Sequence, residues 1–147
     1  MLERKNMAAL TANRNTQEIL CHSQKFRRIR NVKNGYNLFV GSIAAVDSLT
    51  GTALPASDSP GLIVLGRAEG FAADGRIVIK SGMFKYDNAA DAEKLGNEDI
   101  NHVVYIVDDH TLGRIGGSNK IPAGVLREID SDGMLIVEIG NLALTNA

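Results

Sequence analysis

Cysteine is almost missing from this chain. Cys21 stands alone among 147 residues, so no intramolecular disulfide can hold the fold together. Tryptophan is absent, and four Phe with three Tyr are the only aromatic side chains. Aliphatic Val, Ile and Leu must therefore fill most of any core. No apolar run approaches the roughly 18 residues that a membrane-spanning helix needs. The opening MLERKNMAAL lacks the apolar centre of a secretion signal. These absences predict a protein that stays in the cytoplasm where it is made, or goes where a larger assembly takes it. Three prolines against 15 glycines suit many tight turns between strands. The remaining composition, 44% hydrophobic and 22% charged, is that of an ordinary globular chain long enough for one domain with a modest core.

The net charge of −1 conceals an asymmetry. Residues 1–34 carry eight basic groups (Arg4, Lys5, Arg14, Lys25, Arg27, Arg28, Arg30 and Lys33) against Glu3 and Glu18, a net of +6. Residues 35–147 carry eight basic groups against fifteen acidic ones, a net of −7. A basic arm on an acidic body is a pattern for binding something negative: nucleic acid, a membrane surface, or the acidic face of a neighbouring copy.

Residues 1–25 show no clean periodicity, and Ile19 with Leu20 make a poor apolar stripe for a short helix over Thr16–Gln24. This segment reads as an extended arm that orders against a partner. From Phe26 the texture is that of strands. Asn34-Gly35 is a strong turn signal, and the β-forming stretch Tyr36–Val46 follows it. LPASDSPG (54–61) reads as a surface loop. Gly61–Phe71 reads as a long strand whose glycines mark bends or bulges. Ala73-Asp74-Gly75 turns into Arg76–Lys80. Short helical stretches are expected only at Ala89–Leu95 and Glu98–Asn101. The chain closes on a hairpin, Ala123–Asp130 and Met134–Ile139 about Ser131-Asp132-Gly133, with Leu135, Val137 and Ile139 sharing one face. Val125 and Ile129 are expected to join them in the core or in a subunit interface. About eight short strands spaced by turns predict an all-β fold, a small β-barrel or β-sandwich with an extended N-terminal arm and little helix. The arm is residues 1–25, and the β-rich body with a short C-terminal tail is 26–147.

Several stretches carry the residue types of chemical sites. In VYIVDDHTLG (104–113) an apolar run ends in Asp108-Asp109-His110, two carboxylates beside an imidazole. Strand neighbours point to opposite faces, so Asp109 should diverge from the other two unless the strand has already ended. No H-x-x-x-H or H-E-x-x-H spacing supplies further ligands. Aspartates bond readily to their own backbone in turns, and the triplet reads as a strand terminator. Asp130-Ser-Asp132-Gly133 opens like a calcium loop, but Met134 and Asn141 occupy the positions of an oxygen ligand and the bidentate Glu. Gly116-Gly117-Ser118-Asn119-Lys120 matches a phosphate loop only loosely and lacks the G-x-x-x-x-G-K-[ST] spacing. Cys21 beside His22 has no arrangement of a catalytic nucleophile. No catalytic, cofactor-binding or metal site is expected, and the chain reads as non-enzymatic.

The basic patch Phe26–Lys33 has charge for phosphates but one aromatic for stacking. It fits a nucleic-acid-binding β-barrel using strand 26–33, an edge strand whose charge discourages unwanted pairing, or a docking element for acidic surface. Docking ranks first because the acidic partner surface is encoded in the same chain. The candidate partner-binding residues are Arg14, Lys25, Arg27, Arg28, Arg30 and Lys33.

The order of the pieces resembles the capsid cement or head decoration proteins of tailed bacteriophages. The likeness is carried by Asn15-Thr16, Val40–Val46 (VGSIAAV), Leu54–Asp58 (LPASD), Val64–Gly70 (VLGRAEG), Ser81–Asn88 (SGMFKYDN), Val104–Thr111 (VYIVDDHT) and Ala123–Gly133 (AGVLREIDSDG). It spans roughly residues 26–139. A departure falls at Asn101-His102, where the family pattern has a glycine and a small or basic residue, and it bears on the local turn. The resemblance implies a structural virion protein that binds the major capsid protein on the outer surface of an assembled capsid, commonly as a homotrimer at three-fold positions. It implies no cofactor, no membrane and no specific nucleic acid. The expected location is the virion surface, after assembly in the host cytoplasm.

Overall fold

The computed structural model describes residues 27–140, together with Ala12. The arm expected at 1–25, with Arg14, Lys25 and the helix considered over Thr16–Gln24, lies outside the described residues apart from Ala12, as does the tail 141–147.

The described chain is all-β and has two parts. Strands β1 (Arg27–Arg30), β2 (Ile43–Asp47), β3 (Ala53–Pro55), β4 (Leu62–Phe71) and β5 (Ile77–Lys80) form a sheet in the order β1-β5-β4-β2-β3. Strands β6 (Gly82–Asn88), β7 (Val103–Ile106), β8 (Thr111–Gly113), β9 (Pro122–Ile129) and β10 (Leu135–Ile139) close into a barrel in the order β10-β6-β8-β7-β9. The sheet curls until the continuation of β1 reaches β3. Lys33 N–H donates to Ala53 O, and Ala53 N–H donates to Asn31 O, each at 2.7 Å. The helical stretches expected at 89–95 and 98–101 shrink to single turns of 3-10 helix, Asp91–Glu93 and Asn97–Asp99. No helix of the described residues is long and apolar enough to cross a membrane.

Local chemistry explains several boundaries. Asp74 Oδ1 accepts from Arg76 N–H and Gly75 takes φ 83°, which turns β4 into β5. Gly66 in β4 has φ 156°, and a Cβ there would collide with the carbonyl of Lys80 across the strand pair, so the bend needs glycine. The register of β4 shifts against both neighbours, the bulging that its glycines predict. Asn101 adopts φ 69°, a left-handed conformation in which asparagine is the best tolerated residue after glycine. The left-handed backbone of this turn is thus met without a glycine.

Of the β-forming stretch Tyr36–Val46, only the part from Ile43 is strand. Asn34-Gly35 does turn, with φ 87° at Gly35, but β1 does not pair with the stretch that follows. It pairs with β5 in the register Arg27↔Lys80 to Arg30↔Ile77. Tyr36–Gly41 remains irregular, and β2 starts only at Ile43, where pairing to β3 and β4 begins.

The core has two clusters. Tyr86, Val104, Ile106, Leu112, Leu126, Leu135, Val137 and Ile139 fill the barrel, and Ile43, Ala45 and Val64 of the sheet pack with them. The opposite face of the sheet buries Ala44, Val46, Leu65, Ala68, Ile77 and Ile79 beneath Leu38, with Val32 at the margin. Removing one such aliphatic side chain from water stabilises by about 1.5–3 kcal/mol. The closing hairpin matches its pattern: Val125, Leu135, Val137 and Ile139 are buried, and Ile129 is partly buried against the same cluster.

Candidate partner-binding surface

The glycine-rich stretch that loosely matches a phosphate loop is an anion-binding backbone already occupied by this chain's own carboxylates. Gly116 and Gly117 take φ 92° and 61°, and the main-chain amides of residues 115–119 turn toward two side chains. Glu93 accepts from Ile115 (2.9 Å), Gly116 (3.2 Å) and Gly117 (3.3 Å). The stretch 54–61 expected as a surface loop begins inside β3, with Leu54 and Ala56 buried, and Asp58 in the loop that follows accepts from Ser118 (3.0 Å) and Asn119 (2.9 Å). Its carboxyl is held below the ordinary carboxylate range by the bonds from Asn119 and Ser118. A phosphate would have to displace both carboxylates, so the loop is a structural staple between sheet and barrel.

The turn after β7 behaves differently. The strand ends at Ile106, before the first aspartate. The alternation that would separate the side chains has stopped, and the divergence expected of Asp109 is not found. Ligand atoms of Asp108, Asp109 and His110 all lie within 4.8 Å of one another. The turn chemistry itself is as read from the sequence: Asp108 Oδ1 accepts from His110 N–H at 2.9 Å, and Val107 N–H bonds Thr111 O at 3.0 Å. A fourth member was not legible. Asp87 near the end of β6 places Oδ2 2.9 Å from His110 Nδ1, brought there by the parallel pairing of Asp87 with Thr111. His110 Nε2 lies 3.4 Å from Asp108 Oδ1. The Asp87 bond raises the pKa of His110 against the opposing effect of burial, and the charges of Asp108, Asp109 and Asp87 add to the rise. His110 and Asp87 are both more than half exposed, so water weakens these charge interactions.

The same turn adjoins an apolar projection. Ser42 donates from both N–H and Oγ to Phe39 O, and Gly41 N–H donates to Ala68 O at 2.8 Å, which fixes the turn Phe39–Ser42 on β4. Phe39 at 72% and Val40 at 66% exposure stand out from it. Directly after it, Ile43 N–H donates to Asp109 O at 2.8 Å. One corner of the molecule therefore carries Phe39, Val40 and exposed Val107 beside Asp87, Asp108, Asp109 and His110.

The basic strand divides its side chains between two faces. Arg27 and Ile29 are exposed; Arg28 and Arg30 are half-buried and share the side of Ile79 and Ile77, with which they pair. Burial lowers the pKa of Arg28, and the neighbouring Arg30 lowers it further. Lys33 is bonded to Asp47 at 2.6 Å, so it serves the fold. Of the six basic candidates, Arg27 is the described one that projects outward without an ion pair among the described residues.

Where sheet meets barrel, Glu69 bridges Arg67 (2.5 Å) and Lys80 (3.1 Å), and the Arg67 guanidinium lies 4.1 Å over the Phe84 ring. Burial raises the Glu69 carboxyl, but the two cations more than offset it and hold it ionised. Beside this network, burial pushes the Tyr86 hydroxyl up, and that hydroxyl has no hydrogen-bond partner among the described residues.

No protein-family model, curated protein or solved structure matches the chain.

Proposed function

We propose that this protein is a non-enzymatic structural component of a tailed-phage virion, binding the outer surface of an assembled capsid and stabilising it. The observation that carries the reading is the disposition of its surface. Most charged side chains of the described residues are tied within the chain, while Phe39, Val40, Leu49, Phe71 and Met83 stand exposed. Large exposed apolar side chains on a rigid β body suit a protein that covers them by assembly. The order of motifs resembling head decoration proteins supplies the kind of assembly. On this reading the partners are the major capsid protein and other copies of this chain, as a homotrimer, and the protein resides on the virion.

Physically, a protein that binds only the assembled lattice stabilises that lattice by mass action. Three subunits joined together raise the effective affinity without any new contact. The test is co-sedimentation of the purified full chain with empty, expanded capsids at several salt concentrations. Saturable binding that weakens with salt is expected; absence of binding to expanded capsids overturns the proposal. A DNA and RNA mobility-shift series at physiological salt addresses the nucleic-acid alternative, which Lys33 disfavours by pairing with Asp47.

A further inference from the structure

The two parts of the chain differ in charge. Residues 27–81 hold seven basic and four acidic groups, a net of +3; residues 82–140 hold five basic and eleven acidic groups, a net of −6. Most of the barrel's carboxylates are engaged at home. Asp130 and Asp132 share Lys85, Glu98 and Asp99 share Arg114, Glu138 holds Arg127, and Glu93 holds loop amides. The corner gathers three of the remaining five: among the described residues, Asp87 and Asp108 have only His110 for an ion-pair partner, and Asp109 has none. Beside them stand the most exposed apolar side chains of that region, Phe39 and Val40. On the sheet, the outward face of β1 presents the complement, Arg27 without an ion pair among the described residues and Ile29 at 47% exposure. Within one copy β5 and β4 lie between them on the sheet, since Arg27 pairs Lys80, Lys80 pairs Arg67 and Arg67 pairs Ile43.

The geometry points to head-to-tail docking between copies of this chain, in which the acidic-apolar corner of one receives the β1 face of the next. Opposite charge sets the register and speeds encounter, and Ile29 against Phe39 and Val40 supplies the apolar contact. Two different patches make this a heterologous interface, which closes into a ring when the rotation permits. The inference rests on reading the chain as an assembly protein and names the surfaces by which its copies meet.

Sedimentation velocity on the full chain over a wide concentration range tests it. The wild type should associate beyond a dimer. Asp108→Lys with Asp109→Lys, and separately Arg27→Glu with Ile29→Glu, should each weaken association at least tenfold while leaving a cooperative melt. Phe39→Ser is a second corner variant free of charge reversal and should weaken it in the same direction. Mixing the two charge variants pairs one intact corner with one intact β1 face and sets the reversed corner against the reversed face, so the mixture should recover association that neither variant shows alone. A wild type that stays monomeric, variants that associate as the wild type does, or an association abolished by EDTA overturns the docking. Capsid binding is measured on the same samples. A corner variant that keeps self-association but loses capsids assigns the corner to the capsid and overturns self-docking alone. Wild-type association without capsid binding supports the docking and overturns the virion reading.

Discussion

The loop Ile115–Lys120 and the turn Val107–His110 both resemble chemical sites in the sequence, and both touch the sheet, but through opposite kinds of bond. At the loop, the sheet contributes an acceptor: the Asp58 carboxylate takes two main-chain amides, and Glu93 takes the three before them. At the turn, the sheet contributes a donor: Ile43 N–H bonds the Asp109 carbonyl and leaves the aspartate side chain for the surface. A carboxylate that finds backbone donors becomes part of the scaffold, whereas one anchored through its own carbonyl stays available to a partner. The residue types alone do not separate the two cases.

Four measurements sharpen this contrast. Val137→Ala, fully buried in the barrel core, sets the scale. It should cost on the order of 1–3 kcal/mol in denaturant unfolding. Glu93→Ala should follow at about 1–2 kcal/mol, because its amides lose their acceptor and water replaces it only in part. If Glu93→Ala melts like the wild type, the loop is not clamped as described.

The third measurement uses pH. Asp58 has a lowered folded pKa, so its contribution is present above the unfolded carboxyl pKa and is lost as pH falls through the folded value. His110 has a raised folded pKa, so its contribution is present below the unfolded imidazole pKa and is lost as pH rises through the folded value. The melting-temperature gap between wild type and Asp58→Asn should therefore narrow toward acid, while the gap to His110→Ala should narrow toward alkali. Parallel pH trends for the two variants would erase the distinction. The smallest effect belongs to the triple variant Asp108→Ala, Asp109→Ala, His110→Ala, which should lose only the stability of a few exposed turn bonds. A large drop in its melting temperature would make the turn a second staple.

The sequence made the strands visible where the physics is local. Alternation along Leu135–Ile139, the glycines of β4 and the Asp74-Gly75 turn all concern neighbouring residues, and all appear in the fold. Partnerships set by distant segments left no such trace. Nothing near Arg27 announces β5, and nothing near Gly116 announces Glu93 or Asp58. The convergence of Asp108, Asp109 and His110 was hidden by a single boundary, the end of β7 at Ile106. Asp87 joins them through a strand pairing that no local pattern encodes. The exposed pair Phe39 and Val40 sat inside a stretch rich in β-formers. Only the hydrogen bonds of Ser42 and Gly41, which fold it back on β4, show why it projects.

The barrel closes through β6 and β8, a parallel match of Asp87 with Thr111 and Asn88 with Leu112 flanked by bonds from Asp87 N–H to His110 O and Ala89 N–H to Leu112 O. Every other seam of the barrel is antiparallel. Parallel strands cannot be joined by a tight turn, so this seam must wait for the 22 residues between Asn88 and Thr111 to return. Loop-closure entropy is paid there before any contact repays it, which makes seam formation a late and slow event in folding. The same seam holds only two residue pairs, so the closed barrel is expected to open there first, and its amides should exchange with solvent ahead of those in β9 and β10.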